Sequence, residues 1–262
     1  MDGGDILKKC VVICPIGLSP GVVTEVLYSL GEVEGITDVG VIATKDREVQ
    51  ACVELIKAGI EVEIPKLVGR KVYVHTHTMN VPDVDSTENA VEFIEVMAKV
   101  IREEIEVHKA SKILFNIAGS RKVESALMLM LASVWRVDGV YHVIHKDVKS
   151  YNIEVEKIRK EINDILDADN PIEYYLRHRD KFYPILFPDP HDYNVFEVPF
   201  IPFSKMEINA LKEILRGGSI TDSLFGDYEL KLYRRMGLIA VAGDKIIPTD
   251  LGKVFLNVLD VI

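Results

Sequence analysis

Over the first 148 residues, short segments rich in Val and Ile alternate with amphipathic helical patterns, and few folds accommodate that order. Strands are predicted at KCVVICPIG (9–17), VGVIATK (39–45), KVYVHTHT (71–78), KILFNIAG (112–119) and VYHVIH (140–145), with helices near 20–32, 46–59, 87–109 and 121–136. Such a series buries its apolar strands as a mostly parallel sheet covered on both faces by helices, an α/β architecture of Rossmann-like type. In the commonest orders the first strand lies beside the fourth, and ligands bind outside the carboxyl ends at that switch point. The turns after these two strands are therefore expected to face each other.

The turn after the first strand reads GLSPGVVTEVLYSL, residues 17–30. It is not GxGxxG, and no acidic residue ends the second strand in the right setting, which argues against a dinucleotide dehydrogenase. Gly17 and Gly21 permit close backbone approach to a ligand, and Pro20 suits a first helical position with Ser19 as the N-cap. The turn after the fourth strand, NIAGSRKVESALMLML (116–131), leads into a helix apolar enough that burial on most sides is expected. Arg121 and Lys122 stand in its first turn, where free N–H groups and the macrodipole disfavour cations. Either a bound anion, most naturally a phosphate, completes the site, or both side chains extend into solvent at a cost of about 0.3–1 kcal/mol.

Composition narrows the remaining classes. A chain of 262 residues, 48% hydrophobic, suffices for one large domain and a small one. The start, MDGGDILKKC, has no signal-like apolar stretch, and no run reaches the ~18 apolar residues of a membrane span, so a cytoplasmic protein without membrane association is expected. Cys10, Cys14 and Cys52 lack CxxC spacing and suggest neither a disulfide framework nor a zinc site. A single glutamine, Gln50, beside abundant Lys, Glu, Ile and Val points to a thermophilic source. The net charge of −10 argues against a protein that coats long nucleic acid.

These turns resemble those of the CRISPR-associated Rossmann-fold (CARF) proteins that sense cyclic oligoadenylates. The family's first turn commonly reads LGxSPxVVTExLY, similar to GLSPGVVTEVLYSL; its fourth, NxTGGxKxM, is more loosely similar to NIAGSRKVESA; and DVDSTENAVEFI (83–94) resembles its third strand-to-helix connection. The second glycine of the fourth turn is replaced by Ser120, and Arg121 is added beside Lys122. The resemblance implies a ligand held by Gly17, Leu18, Pro20, Gly21, Thr44, Asn89, Gly119, Ser120 and Arg121, with Ser19 and Lys122 catalytic if the ligand is cleaved. It further implies a homodimer whose two crevices form one pocket, and no cofactor.

Two other constellations invite chemistry. His75 and His77 share one face of the third strand with Asp83 and Asp85 beyond, but HxH on a strand is common and the aspartates sit in a capping setting, so no metal is expected. The spacing R-x5-H occurs twice, at Arg102/His108 and Arg136/His142. CARF ribonuclease effectors are similar in carrying R-x4–6-H, but in a C-terminal helical domain; here residues 149–262 contain none, which argues against that activity.

Residues 203–262 carry equal numbers of acidic and basic side chains. SKMEINALKEILRGG, SITDSLFG and DYELKLYRRMGLI read as three helices, and AVAGDKIIPTDLGKVFLNVL as a hairpin and a closing helix, the order of a winged helix-turn-helix. Lys231, Arg234 and Arg235 lie on the recognition-like helix, accompanied by Asp227 and Glu229, and an interaction role is favoured over DNA reading. The connecting residues 149–202 contain an amphipathic pattern (Ile158, Ile162, Ile165, Leu166), the cluster Arg177, His178 and Arg179, and an edge strand near 194–201. The favoured reading is a metal-independent ring nuclease acting on cyclic oligoadenylate, with tetra-adenylate as the expected ring. A cyclic-oligoadenylate-gated transcription regulator is the alternative, and a nucleotide-metabolising Rossmann-like enzyme a third.

Overall fold

The computed structural model describes residues 9–135, 137–220 and 225–261. The chain runs through β1 (Cys10–Ile16), α1 (Gly21–Leu30), β2 (Asp38–Ala43), α2 (Arg47–Leu67), β3 (Tyr73–Thr78), α3 (Thr87–Glu106), β4 (Lys112–Asn116), α4 (Lys122–Trp135) and β5 (Gly139–His145). Four helices follow, α5 (Val148–Lys157), α6 (Arg159–Asp164), α7 (Pro171–Arg177) and α8 (Arg179–Leu186), and then β6 (Tyr193–Glu197). The last part consists of α9 (Lys205–Arg216), β7 (Gly218–Ser219), α10 (Asp227–Arg235), β8 (Ile239–Ala242), β9 (Lys245–Pro248) and α11 (Asp250–Leu259).

The main sheet has the order β3-β2-β1-β4-β5-β6, parallel except for β6, which pairs antiparallel with β5. This is the Rossmann-like arrangement expected from the sequence, with the switch point between β1 and β4. β1 and β2 are buried along their whole lengths, which is why they read as continuous Val and Ile runs rather than alternating ones.

One face of the sheet packs against α1, α2 and the segment α5–α8, whose Val155, Ile162, Tyr175, Phe182 and Leu186 join the core. The connecting residues are thus a third layer continuous with the sheet. The amphipathic pattern from Val155 to Ala168 is broken at Ile158, whose φ of −113° and ψ of 16° separate α5 from α6. The other face packs against α3 and α4. Helix α2 continues past the expected end at Gly59 to Leu67 and takes Pro65 into its last turn. Gly59 does not cap the helix; the Leu186 side chain seats against it, in space that a β-carbon at 59 would occupy.

Among the described residues of the C-terminal part, Ile214, Leu215, Leu230, Leu238, Ile239, Ile246 and Leu259 form a small core beside the three-stranded sheet β7-β9-β8. Its α9 begins with a capping box between Ser204 and Glu207 and ends at Gly217, whose φ is 88°. The helix expected around 219–226 falls largely on residues 221–224, outside the described residues, as does Arg136 of the second R-x5-H pair. Val258 of α11 packs with the α3/α4 face, and the Trp135 indole donates to the Val258 carbonyl at 2.9 Å. Among the described residues no helix is long and apolar enough to cross a membrane.

Candidate functional site

The turns after β1 and β4 meet: the Gly17 amide donates to the Gly119 carbonyl at 2.8 Å. Gly119 has a φ of 88°, and a side chain there would collide with Val22, so both conformation and packing require glycine. Asn116, wholly buried at the end of β4, donates from its side-chain amide to the Val22 carbonyl at 3.0 Å and accepts from the Ala118 amide at 3.1 Å. It pins the fourth turn to the start of α1.

Around this junction lies a crevice of about 510 Å³, within the ~300–1,000 Å³ typical of small-molecule sites. Of the expected ligand-binding residues, Gly17, Leu18, Thr44, Gly119, Ser120 and Arg121 line it. The hydroxyls of Thr44 and Ser120 are buried and find no partner among the described residues, a sign of a site built for a ligand's polar groups. Lys122 is exposed and lines an adjoining hollow with Asp83, Asp85 and Arg121, so the crevice and the hollow share Asp83 and Arg121.

Other expected residues have different surroundings. Ser19 is half-buried and is not a cap: α1 starts at Gly21, with Pro20 at the N-cap and no side-chain capping bond. The orphan Gly21 amide is instead satisfied by the Tyr151 hydroxyl at 3.2 Å. A β-carbon at Gly21 would strike that hydroxyl and the Ile185 carbonyl, so this glycine admits the α5–α8 layer rather than a ligand. Thr24 and Glu25 of the same motif are wholly buried and face the same layer and β5. The Thr24 hydroxyl reaches the Leu186 carbonyl, and the Glu25 carboxyl lies 2.8 Å from His145 Nε2. Asn89 braces the third connection, donating to the Asp83 carbonyl at 3.1 Å and to Asp85 Oδ1 at 3.0 Å.

For Arg121, the charge conflict at the start of α4 is resolved inside the chain. Arg121 makes a two-pronged ion pair with Asp83, with Nε 2.9 Å from Oδ1 and Nη2 against Oδ2. The Arg121 amide, one of the helix's free donors, is taken by Glu124 Oε2 at 2.8 Å. Glu124 is buried in the crevice wall, and its desolvation pushes the carboxyl up to about 7. Asp46 also lines the crevice but is committed to α2, where it accepts from the Glu48 and Val49 amides.

Arg159 of the α5–α8 layer reaches the first turn from behind, with Nη2 3.2 Å from the Leu18 carbonyl and 2.6 Å from Glu156. Nothing in its local sequence marks it; only the packing of α6 places it there. The cysteines play no part: all three are free and buried, and burial pushes Cys14 and Cys52 up to about 12.

His75 and His77 do not join Asp83 and Asp85 in one cluster. Asp83 and Asp85 belong to the α4 side of the crevice, whereas His75 pairs with Glu104 of α3 at 2.7 Å. The pKa of His77 is depressed by desolvation, and its Nε2 is buried without a partner among the described residues.

No curated protein sequence matches the chain. Among solved structures, Enterococcus italicus Csm6 bound to cyclic hexa-2′-fluoro-hexa-dAMP is 11% identical with a TM-score of 0.46, the overlap covering 80% of this chain and 47% of that one. The chain thus spans about half the length of that Csm6. The U34-tRNA thiolase NcsA from Methanococcus maripaludis, with its [4Fe-4S] cluster, is 13% identical with a TM-score of 0.27, over 70% of this chain and 73% of that one. Neither overlap adds to what the strand order already establishes. The profile of the CRISPR-associated protein NE0113 family, by contrast, matches residues 19–224, from the first turn through the sheet and the α5–α8 layer into the C-terminal part, and the chain belongs to that family.

Proposed function

We propose that this CRISPR-associated chain is a CARF-type ring nuclease of type III defence, binding cyclic oligoadenylate across a homodimer and cleaving it without a metal. The observation that carries the reading is the convergence of the two turns, Gly17–Leu18 and Gly119–Arg121, on one crevice at the switch point. Membership of a CRISPR-associated family and the CARF-like motifs supply the ligand class.

RNA brings its own nucleophile, the 2′-hydroxyl beside each 3′-phosphodiester, so the protein has only to hold it in line and stabilise developing charge. Lys122, exposed at the start of α4, neutralises the pentacoordinate phosphorus and the departing 5′-oxygen, while Ser19 positions the ribose or the scissile phosphate. Arg121 takes a neighbouring phosphate when its pairing with Asp83 loosens. The product is a linear oligoadenylate ending in a 2′,3′-cyclic phosphate.

The dimer has support in α4. Its apolar run was expected to be buried on most sides, yet Val123 is 38% exposed, Ala126 is exposed and Leu127 and Met130 are half-buried in the single chain. An isologous contact through this helix covers them and sets two crevices about one two-fold axis, matching a symmetric ring. The order α9, β7, α10, β8, β9, α11 supports a winged helix in the C-terminal part, here serving contacts rather than DNA.

Incubating the protein with labelled cyclic tri-, tetra- and hexa-adenylate in excess EDTA tests the reading. Conversion of the tetra-adenylate to linear products is expected. Turnover only on addition of a divalent metal overturns the in-line account, and tight binding without turnover shifts the reading to a sensor.

A further inference from the structure

At the opposite end of the strands from the crevice, β3 and the far end of α3 bring two histidines and a carboxylate together. His75 pairs with Gly40 of β2, four residues or about 13 Å along that strand from Thr44 of the crevice. There His75 stacks on His108 with ring centroids 4.0 Å apart, and His75 Nδ1 lies 2.7 Å from Glu104 Oε1. One ligating atom from each of His75, Glu104 and His108 lies within 4.8 Å of the others.

Glu104 is wholly buried, and while Oε1 meets His75, Oε2 has no partner among the described residues. A carboxylate oxygen left unpaired in a core is costly unless something cationic completes it. Among the described residues, Lys9 beside this edge of β2 is turned to Asp38 at 3.1 Å. Asp38 in turn lies 3.4 Å from His75 Nε2, so the ring has one nitrogen towards Glu104 and the other towards a buried carboxylate. That is the outer-sphere arrangement by which metal-binding histidines are oriented. Directly after His108, in the turn that follows α3, Lys109 adopts a φ of 60°, a left-handed conformation uncommon for a side-chain-bearing residue.

We propose that His75, Glu104 and His108 form a binding site for a divalent transition-metal cation of the zinc class. Two imidazoles and one carboxylate suit such an ion, with a fourth position left to water. Binding replaces the proton shared between His75 Nδ1 and Glu104 and releases it to solvent, and closing the ligand set to the ~3.3 Å spacing that bonds of ~2.0–2.2 Å imply takes a rotation of the half-buried His108. The ion ties the edge strand β3 to α3. It lies away from the crevice and takes no part in phosphodiester cleavage, so this inference stands or falls separately from the proposed function.

Zinc titration of the EDTA-stripped full chain by calorimetry, with cobalt absorption as a second readout, tests the site. One equivalent per chain is expected, with the visible bands of tetrahedral cobalt and a zinc-dependent rise in Tm. His108→Ala and the near-isosteric Glu104→Gln, each checked for folding by circular dichroism, are expected to weaken binding at least about tenfold and to abolish the Tm rise, and His77→Ala to leave both unchanged. Wild-type stoichiometry well below one, or equal zinc binding by wild type and a folded His108→Ala, overturns the proposal.

Discussion

Arg121 answers to a carboxylate of its own chain, and this changes what the crevice asks of a ligand. A phosphate arriving at the start of α4 competes with Asp83 for the guanidinium. Asp83→Asn is therefore expected to tighten cyclic oligoadenylate binding a few-fold, measured by calorimetry with a non-cleavable ring; weaker binding would show that Asp83 itself contacts the ligand. Lys122→Ala is expected to slow single-turnover cleavage by about 10²–10³-fold, the scale of one lost electrostatic donor, with circular dichroism unchanged. Glu124 supplies a pH signature. Its carboxyl stands near 7 in the fold against an ordinary 4.5, so between these values the native state holds a proton that the unfolded chain has released. Stability from this group is therefore full at low pH and is lost as pH rises towards 7, by roughly 3 kcal/mol in all. Glu124→Gln, which keeps an acceptor for the Arg121 amide, is expected to raise Tm at about pH 8 and to change it little at about pH 5. The sequence exposed the cations because they break the dipole rule; it did not expose Glu124, because a glutamate in a first turn looks like ordinary capping until burial is known.

At the scale of elements, strand order and turn placement were legible, since parallel strands buried on both faces leave unbroken Val and Ile runs. Helix lengths were less so. The helix pattern near 46–59 stops at Gly59, but Leu186, more than a hundred residues on, packs into the space that glycine leaves, and α2 continues to Leu67. The same long-range layer explains Gly21, read from the sequence as room for a ligand and found to be room for Tyr151 and Ile185. Gly21→Ala is accordingly expected to destabilise by about 1–3 kcal/mol, the cost of overpacking, observed as a lower denaturation midpoint at unchanged m-value. Leu18, 41% exposed at the crevice, should behave oppositely: Leu18→Ala leaves the midpoint in place and weakens ligand binding.

For the whole molecule, the question is what residues 204–261 do from their seat on the α3/α4 face. On either side of residues 221–224 the expected helices and hairpin were readable from residues such as Ser204, Gly217 and the Gly243–Asp244 turn, but their docking was not, because it depends on single contacts between distant segments. The decisive one joins the chain's only tryptophan, Trp135 at the end of α4, to the Val258 carbonyl of α11. Since α4 begins with Lys122 and exposes its apolar face where the proposed dimer forms, a shift of α11 acts on both through one helix. Gly252 offers a way to produce that shift: a β-carbon there would run into the Leu238 carbonyl, so Gly252→Val should displace α11 from its seat. Trp135 emission is expected to move to the red, sedimentation to show a weaker dimer, and ring cleavage to slow, all in the full-length chain. Lys231, Arg234 and Arg235 on α10 are exposed, yet the surrounding chain is acidic, so negligible duplex binding at physiological salt is expected from both proteins. A sub-micromolar, salt-sensitive complex with promoter DNA that responds to cyclic oligoadenylate would instead make the module a DNA reader and the crevice its sensor.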